Sequence, residues 1–240
     1  MLQKIVIGVV ALLVFNFGSC VTLKPGLIGQ KEFESNAKEM EVKDRHGWTI
    51  NKVVSFGSFH TSAFSLGWIT KKGSESNNSI RWHVGFSYNA SHESAKQKFA
   101  FKQYDGDGDS VEVFCAAHLA TEKIRYSKNL SSQEVLNNKY EIELYQDGVL
   151  TKVNYSDESP TLVSTSKSPM TIVTERKFDK ESKKIFYGVI FKQDNLSVAV
   201  VSLIGGGTVW IKNDLDPKQQ LLVAALATAL LVKPELSTGN

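Results

Sequence analysis

The chain has 240 residues, of which 42% are hydrophobic and 22% are charged, so it is long enough for one large domain or two small ones. Its formal net charge is only +3. A charge this small produces no strong overall field and gives no general reason to expect nucleic acid or an acidic substrate as a partner.

The first 19 residues have the pattern of a secretory signal peptide. One cation, Lys4, precedes an apolar run from Ile5 to Val14 that continues through Phe15 and Phe17, and the small residues Gly18 and Ser19 follow. The run is shorter than the ~20 apolar residues that a helix needs to span a bilayer. The sequence therefore predicts that residues 1–19 direct export and are then removed.

The next residue completes the segment Phe17-Gly-Ser-Cys20, which resembles the lipobox of bacterial lipoproteins. The resemblance implies that cleavage precedes Cys20, that its thiol receives a diacylglycerol and that its amino group is acylated. Three acyl chains exceed the two signals needed for stable anchoring. Val21 stands where inner-membrane members often carry Asp, so the resemblance implies an outer-membrane anchor with the body facing the periplasm. The alternative is an ordinary signal peptide with a chance cysteine.

The mature chain divides by composition into three parts. Residues 20–45 are mixed and polar and predict a lipidated tether, residues 46–235 predict a single β-rich domain, and residues 236–240 predict a tail. Residues 80–88 alternate strictly between apolar and polar side chains, which is typical of a strand with one buried face. About ten further runs predict strands: 48–56, 62–70, 98–104, 110–117, 139–145, 151–156, 170–178, 185–193, 196–204 and 208–212.

The end of the domain predicts one helix of unusual character. Asp216 fits an N-cap, Pro217 fits the first helical position, and the helix should stop near Lys233 and Pro234. Between them, residues 221–232 are apolar on every side except at Thr228. Such a helix is enclosed either by protein or by a membrane. About 12 residues span roughly 18 Å, which is too short for the ~30 Å hydrocarbon core, so we expect protein around it.

This helix and the strands before it resemble the tubby-like fold to which phospholipid scramblases are thought to belong. Asp214, Leu215 and Asp216 occupy the place of the scramblases' Asp-Leu-Asp entry into the helix, after the predicted strand 208–212. The resemblance implies a mainly β fold with about twelve antiparallel strands in a closed or partly closed barrel around the helix. A β-sandwich with a packed C-terminal helix is the alternative. Function does not transfer with a fold.

Asp105, Asp107 and Asp109 form the best candidate metal site. Their spacing matches the first three ligands of a calcium loop, but Ser110 and Ala116 replace the glycine and glutamate that an EF-hand requires. A plain hairpin turn explains the same residues. Cys115 lies in an apolar run and is expected to be a small buried residue without a disulfide partner.

Catalytic motifs are missing from the sequence. It contains neither a zinc-type HxxxH pair nor a G-x-S-x-G elbow, and the five histidines are His46, His60, His83, His92 and His118. Ser58, His60 and Ser62 alternate on one predicted strand but have no identified acid. The triple glycine at residues 205–207 is expected to be a hairpin, since a phosphate cradle would need a helix after it.

These observations predict a non-catalytic outer-membrane lipoprotein that acts as a binding or structural module. Lipid or another envelope protein is the expected ligand, the membrane is reached through Cys20, and no cofactor is expected apart from the candidate calcium ion. Two alternatives stay open: an envelope hydrolase with an unrecognised site, and a scramblase-like lipid-handling protein.

Overall fold

A computed structural model describes residues 24–45, 53–67, 70–76, 89–125, 131–165, 169–181 and 183–234. The predicted signal peptide, the predicted lipidation site Cys20 and the alternating segment 80–88 lie outside the described residues. His46 and His83 also lie outside them.

The described part is mainly β. Two helices accompany the strands: α1 (Lys31–Ser35) and α2 (Pro217–Leu231). The strands are β1 (Lys24–Pro25), β2 (Ala37–Glu41), β3 (Ser55–Phe56), β4 (Phe59–Thr61), β5 (Ser65–Leu66), β6 (Thr70–Ser76), β7 (Asn89–Tyr104), β8 (Ser110–Arg125), β9 (Ser131–Gln146), β10 (Val149–Tyr155), β11 (Thr161–Val163), β12 (Met170–Asp179), β13 (Lys184–Gln193), β14 (Leu196–Ser202) and β15 (Thr208–Lys212).

The strands form two sheets. Sheet A has the order β11-β12-β13-β14-β15-β2, and β1 adds to β13 in parallel. Sheet B has the order β10-β9-β8-β7-β4-β3, and β5 and β6 also pair with β7. The other pairings are antiparallel. The prediction of a mainly β, antiparallel fold with a C-terminal helix is thus confirmed, in two sheets rather than one continuous ladder.

Alternating side chains explain the longest strands. In β8, Val111, Val113 and Cys115 are buried on the inner face, as their period of two predicts, while Phe114 points outward and is 45% exposed.

Tight turns set the register of the hairpins. Asp147 and Gly148 both have positive φ, at 51° and 77°, which is the type I′ geometry that matches the twist of the flanking strands β9 and β10.

Helix α2 lies between the two sheets. The Asp216 carboxylate accepts hydrogen bonds from the backbone N–H groups of Lys218 and Gln219, at 2.9 and 3.3 Å, so the predicted N-cap is confirmed. The helix contacts β7, β8 and β9 of sheet B and β14 and β15 of sheet A. Every residue from 221 to 231 is buried as a result. In the described residues, no helix combines the length and apolarity needed to cross a bilayer.

The two sheets approach each other at both pairs of edges. At one pair, Lys43, just after β2, forms an isolated antiparallel bridge with Ser55 of β3. The backbone N–H of Lys43 donates to the Ser55 carbonyl at 2.8 Å. At the other pair, the Thr161 hydroxyl of β11 accepts from the Ser156 N–H at 3.2 Å, close to the end of β10. Helix α2 therefore lies in an interior bordered by sheet edges that touch.

The N-terminal described segment packs on the outer face of sheet A. Leu27 and Phe33 are buried in a second cluster, whose other buried members are Phe186, Ile190, Val200 and Trp210. The indole N–H of Trp210 also donates to the Glu39 carboxylate at 3.0 Å. Leu27 and Phe33, within the segment 20–45 that is predicted as a tether, therefore pack against sheet A.

Candidate functional site

The clearest candidate site is a cavity at the C-terminal end of α2, which we call the α2 C-terminal cavity. Its volume is about 330 Å³. Strands β8, β9 and β10 border one side, and β13 with the loop after β14 borders the other. Cavities that hold small ligands are typically about 300–1,000 Å³, so this one lies at the lower limit of that range.

The floor of the cavity is apolar. Leu230 and Leu231, the last two residues of α2, line it together with Ala117 of β8 and with the half-buried Leu119 and Leu203. Ala117 and Leu119 face the cavity because alternate residues of β8 point inward. The end of α2 adds apolar side chains because this helix is apolar on all sides. The floor therefore offers a surface on which a hydrocarbon group can pack.

Arg45 forms one part of the rim. Its Nε donates to the Leu231 carbonyl at 3.0 Å, and its Nη1 donates to the carbonyls of Leu203 and Gly205 at 3.1 and 3.2 Å. The guanidinium thus satisfies a carbonyl at the C-terminus of α2, where a cation is also favoured by the helix dipole. Arg45 joins the helix end to the loop between β14 and β15.

The triple glycine forms that loop, as the sequence predicted. Gly205 and Gly207 have φ values of 60° and 96°, which side chains rarely adopt. A Cβ on Gly207 would lie 2.7 Å from Leu231 Cδ2 and 3.3 Å from Arg45 Nη1. The glycines therefore allow the backbone to approach the cavity floor and the arginine closely.

Lys233 forms the opposite part of the rim. Its ammonium pairs with the Asp157 carboxylate and lies 5.1 Å from the ring centroid of Tyr155. The Tyr155 hydroxyl is 2.8 Å from the Thr174 hydroxyl, and burial raises the pKa of Tyr155. The phenol therefore stays protonated at neutral pH. The rim thus contains two cations and one paired acid beside an apolar floor.

The predicted calcium residues lie elsewhere, at the tip of the β7–β8 hairpin. The Asp105 carboxylate accepts hydrogen bonds from the backbone N–H groups of Asp107 and Asp109, at 3.0 and 2.9 Å. One of its oxygens thus closes the turn, which is the use that Asp has in hairpin loops. Among the described residues, the structure brings together no group of three metal-ligating side chains. Calcium binding here stays a prediction.

The candidate Ser–His residues are not arranged as a catalytic unit. The His60 ring stacks on Tyr104 with centroids 5.3 Å apart. The Ser62 hydroxyl accepts from the Lys102 N–H at 2.9 Å and is 3.0 Å from the Ala63 carbonyl oxygen. Ser58 lies in the turn between β3 and β4, so the three side chains do not share one strand. None of these contacts places the His60 imidazole beside a serine hydroxyl.

Cys115 is a small buried residue, as its apolar run predicted. It is 3% exposed, and burial raises the pKa of its thiol to about 12. The thiol is therefore protonated and unreactive in the folded chain.

Sequence reasoning did not identify Arg45 or Lys233 as site residues. Arg45 lies 186 residues from Leu231, whose carbonyl it contacts, and Lys233 lies 76 residues from Asp157. The only available signal was the position of Lys233 at the predicted helix end, where cations are favoured.

Comparison of the chain with protein-family models gives no match, and comparisons with curated proteins and with solved structures give none either.

Proposed function

We propose that the chain is a non-catalytic outer-membrane lipoprotein, attached through acylated Cys20, whose periplasmic body binds an anionic lipid-like amphiphile in the α2 C-terminal cavity. The observation that carries this proposal is the cavity itself. An apolar floor made by Leu230 and Leu231 lies beneath a rim that holds Arg45 and Lys233. A molecule with a hydrocarbon part and a negative head group satisfies both surfaces.

The body is best interpreted as a partly closed, tubby-like barrel around α2. Two features support this over a β-sandwich. The sheet edges touch at the Lys43–Ser55 bridge and near Thr161, and the strands from β7 to β15 follow one another in chain order. A helix is about 10 Å in diameter, so α2 separates inner faces that would interdigitate in a sandwich.

The burial of α2 supports Cys20 as the lipid attachment. Leu226, at the middle of the apolar run, is 0% exposed, and the neighbouring turns are equally enclosed by both sheets. A helix whose surface is buried by the protein on all sides cannot also contact a bilayer. The same burial disfavours the scramblase-like alternative, which needs a segment embedded in the membrane.

The rim favours binding over catalysis. A general acid or base needs a pKa near the working pH and a free position beside the reacting group. Here Lys233 is paired with Asp157, Arg45 donates to three carbonyls, and the pKa of Tyr155 is raised away from neutrality. These groups recognise charge and position a ligand, which is consistent with a binding module.

The test compares two lysines that form ion pairs at opposite ends of α2. Lys233 pairs with Asp157 beside the cavity, and Lys218 pairs with Asp147 at the other end, at 2.6 Å. Binding of a single-chain anionic detergent such as dodecyl phosphate is measured by titration with the full chain and with Lys233→Gln and Lys218→Gln. A lost charge-assisted hydrogen bond costs about 1.5–3 kcal/mol, so Lys233→Gln should weaken binding roughly tenfold or more.

Lys218→Gln should bind like the unchanged chain. Equal affinity in both variants, or no saturable binding at all, would contradict the cavity as the ligand site. Mass spectrometry of the N-terminal peptide tests the anchor separately: an acylated Cys20 as the first residue is expected, and an unmodified cysteine or a different cleavage point would contradict it.

A further inference from the structure

The first described strand fixes where the membrane anchor meets the body. Lys24 and Pro25 of β1 pair with Lys184 and Ile185 at the start of β13, and the Gly26 N–H donates to the Ile185 carbonyl at 3.3 Å. Cys20 precedes Lys24 by four residues, and an extended chain spans at most ~3.6 Å per residue. The connection from Lys24 back to Cys20 therefore spans at most roughly 14 Å, and Lys24 pairs with Lys184 at the start of β13.

That hairpin lies at the same end of the molecule as the α2 C-terminal cavity. Tyr187, three residues into β13, lines the cavity and accepts the Leu203 N–H at its carbonyl, at 2.8 Å. Arg45 links Leu203 in turn to Leu231 at the end of α2. The start of β1, the hairpin and the cavity mouth thus share one end, which we call the anchor end.

The hairpin is strongly basic. Between Arg176 and Lys184 the chain has five cations and two acids, a formal net charge of +3 that equals the charge of the whole chain. Arg176 lies over the Tyr187 ring at 4.6 Å, and Lys177 pairs with Glu175 at 2.5 Å. Lys180 and Lys183 are exposed beyond them at the tip.

An aromatic side chain accompanies these charges. Phe178, the ninth residue of β12, is 52% exposed and lies between Lys177 and the tip lysines. Lysines near an anionic lipid surface each contribute about 1 kcal/mol to attraction, and amphipathic or aromatic side chains settle at the head-group level. An exposed Phe among cations offers an apolar side chain to the lipid interface and positive charge to anionic head groups.

The opposite end of the molecule has the opposite charge. The turns at the N-terminal end of α2 contain Asp109, which acts electrostatically on Lys218, and Asp147, which pairs with the same lysine. The β13–β14 turn contributes Asp194. Its neighbour Gln193 lines a second cavity together with Lys218, which places the turn at this end. A molecule with one basic and one acidic end is oriented by an anionic surface with the basic end toward it.

We propose that the β12–β13 hairpin is a second membrane contact, which docks Phe178 and the tip lysines onto an anionic phospholipid surface and turns the α2 C-terminal cavity toward the bilayer. The inference rests on the proposed lipid anchor at Cys20. It adds the orientation of the body, because a four-residue connection alone permits many orientations whereas two contacts fix one.

The test places an environment-sensitive dye on single introduced cysteines in the full, acylated chain. Glu181→Cys, at an exposed position of the hairpin tip, reports on the hairpin and leaves Phe178 and the tip lysines in place. Leu196→Cys, 64% exposed at the β13–β14 turn, is the matched control at the far end. The native Cys115 is buried and protonated, so it does not take the label. The chain is reconstituted into vesicles of phosphatidylcholine with phosphatidylglycerol.

The dye at position 181 should move into the lipid interface and be quenched by lipid-attached quenchers, while the dye at 196 stays in water. Replacing Lys180 and Lys183 with Gln should lower the equilibrium constant for docking roughly 30-fold, from two charges of about 1 kcal/mol each. The same change at the exposed Lys102 of β7 and Lys152 of β10, which lie toward the acidic end, should have little effect. Raised salt should weaken docking in the unchanged chain.

Three results would overturn the proposal in distinguishable ways. If the acylated chain is vesicle-bound but both dyes stay in water, the anchor stands and the hairpin contact is wrong. If both dyes enter the interface equally, the proposed orientation is wrong. If mass spectrometry finds Cys20 unmodified and the chain does not bind vesicles, the proposed function fails and this inference fails with it.

Discussion

Replacing Thr228 with valine tests directly whether α2 is packed inside the protein. Thr228 is the one polar residue in the apolar run, and its hydroxyl donates to the Gln103 side-chain carbonyl of β7 at 2.7 Å. Both side chains are 0% exposed. Valine has nearly the same shape, so the substitution removes a hydrogen-bond donor without opening a cavity.

The size of the effect follows from what is left behind. Without the Thr228 hydroxyl, the buried Gln103 oxygen loses this partner, and a buried unsatisfied acceptor costs about 1–3 kcal/mol. The double variant Thr228→Val with Gln103→Leu removes both polar partners. Since replacing both partners with apolar groups is close to neutral, the double variant should lose less stability than Thr228→Val alone.

Urea unfolding followed by tryptophan fluorescence measures these differences as shifts in midpoint at constant slope. Thr171→Val on β12, a half-exposed position, is the control for the chemical change and should shift the midpoint little. If Thr228→Val unfolds at the same urea concentration as the unchanged chain, then Thr228 does not occupy a buried, hydrogen-bonded site and the interior position of α2 is wrong.

Two further predictions address strand packing and pH. A Cβ on Gly188 would lie 2.0 Å from the Val201 carbonyl oxygen, so Gly188→Ala should push β13 away from β14 and lower the free energy of unfolding by about 1–3 kcal/mol or more. Gly73 has open space around it, so Gly73→Ala should leave stability nearly unchanged. Thermal unfolding compares the two variants, and equal melting temperatures would refute the close approach of β13 and β14. Because burial raises the pKa of Cys115 from 9.0 to about 12, the unfolded chain loses the thiol proton first, so stability should fall as pH rises from 9 to 12. Cys115→Ala should show a shallower decline in melting temperature over that range, and an unchanged slope would count against the buried thiol.

Local sequence signals predicted the elements whose interactions are themselves local. The N-cap of α2 needed only Asp216 and Pro217, and its burial followed from an apolar run with no polar face. The inner faces of β8 and β9 followed from a period of two, as with Val113 of β8 and Ile142 of β9.

Features that depend on distant partners were not predictable in the same way. Strands β7 to β9 each extend over 16 residues, about twice the length of the predicted runs. The prediction stopped short because the remaining residues of these strands do not alternate between apolar and polar side chains. The packing of Phe33 depends on sheet A residues more than 150 positions away, such as Phe186. At the cavity rim, Arg45 likewise donates to the Leu231 carbonyl, 186 residues away. The polar sequence around Arg45 does not indicate that contact.

Hydrogen–deuterium exchange of residues 221–231 tests the central claim that the apolar helix belongs to the protein interior. The full chain is compared in detergent solution and in vesicles, with the β8 segment 111–117 as an internal reference for the core. Amides of α2 should exchange as slowly as those of β8 in both states, since both lie in one packed core. Fast exchange of α2 in solution, with protection appearing only in vesicles, would contradict the account.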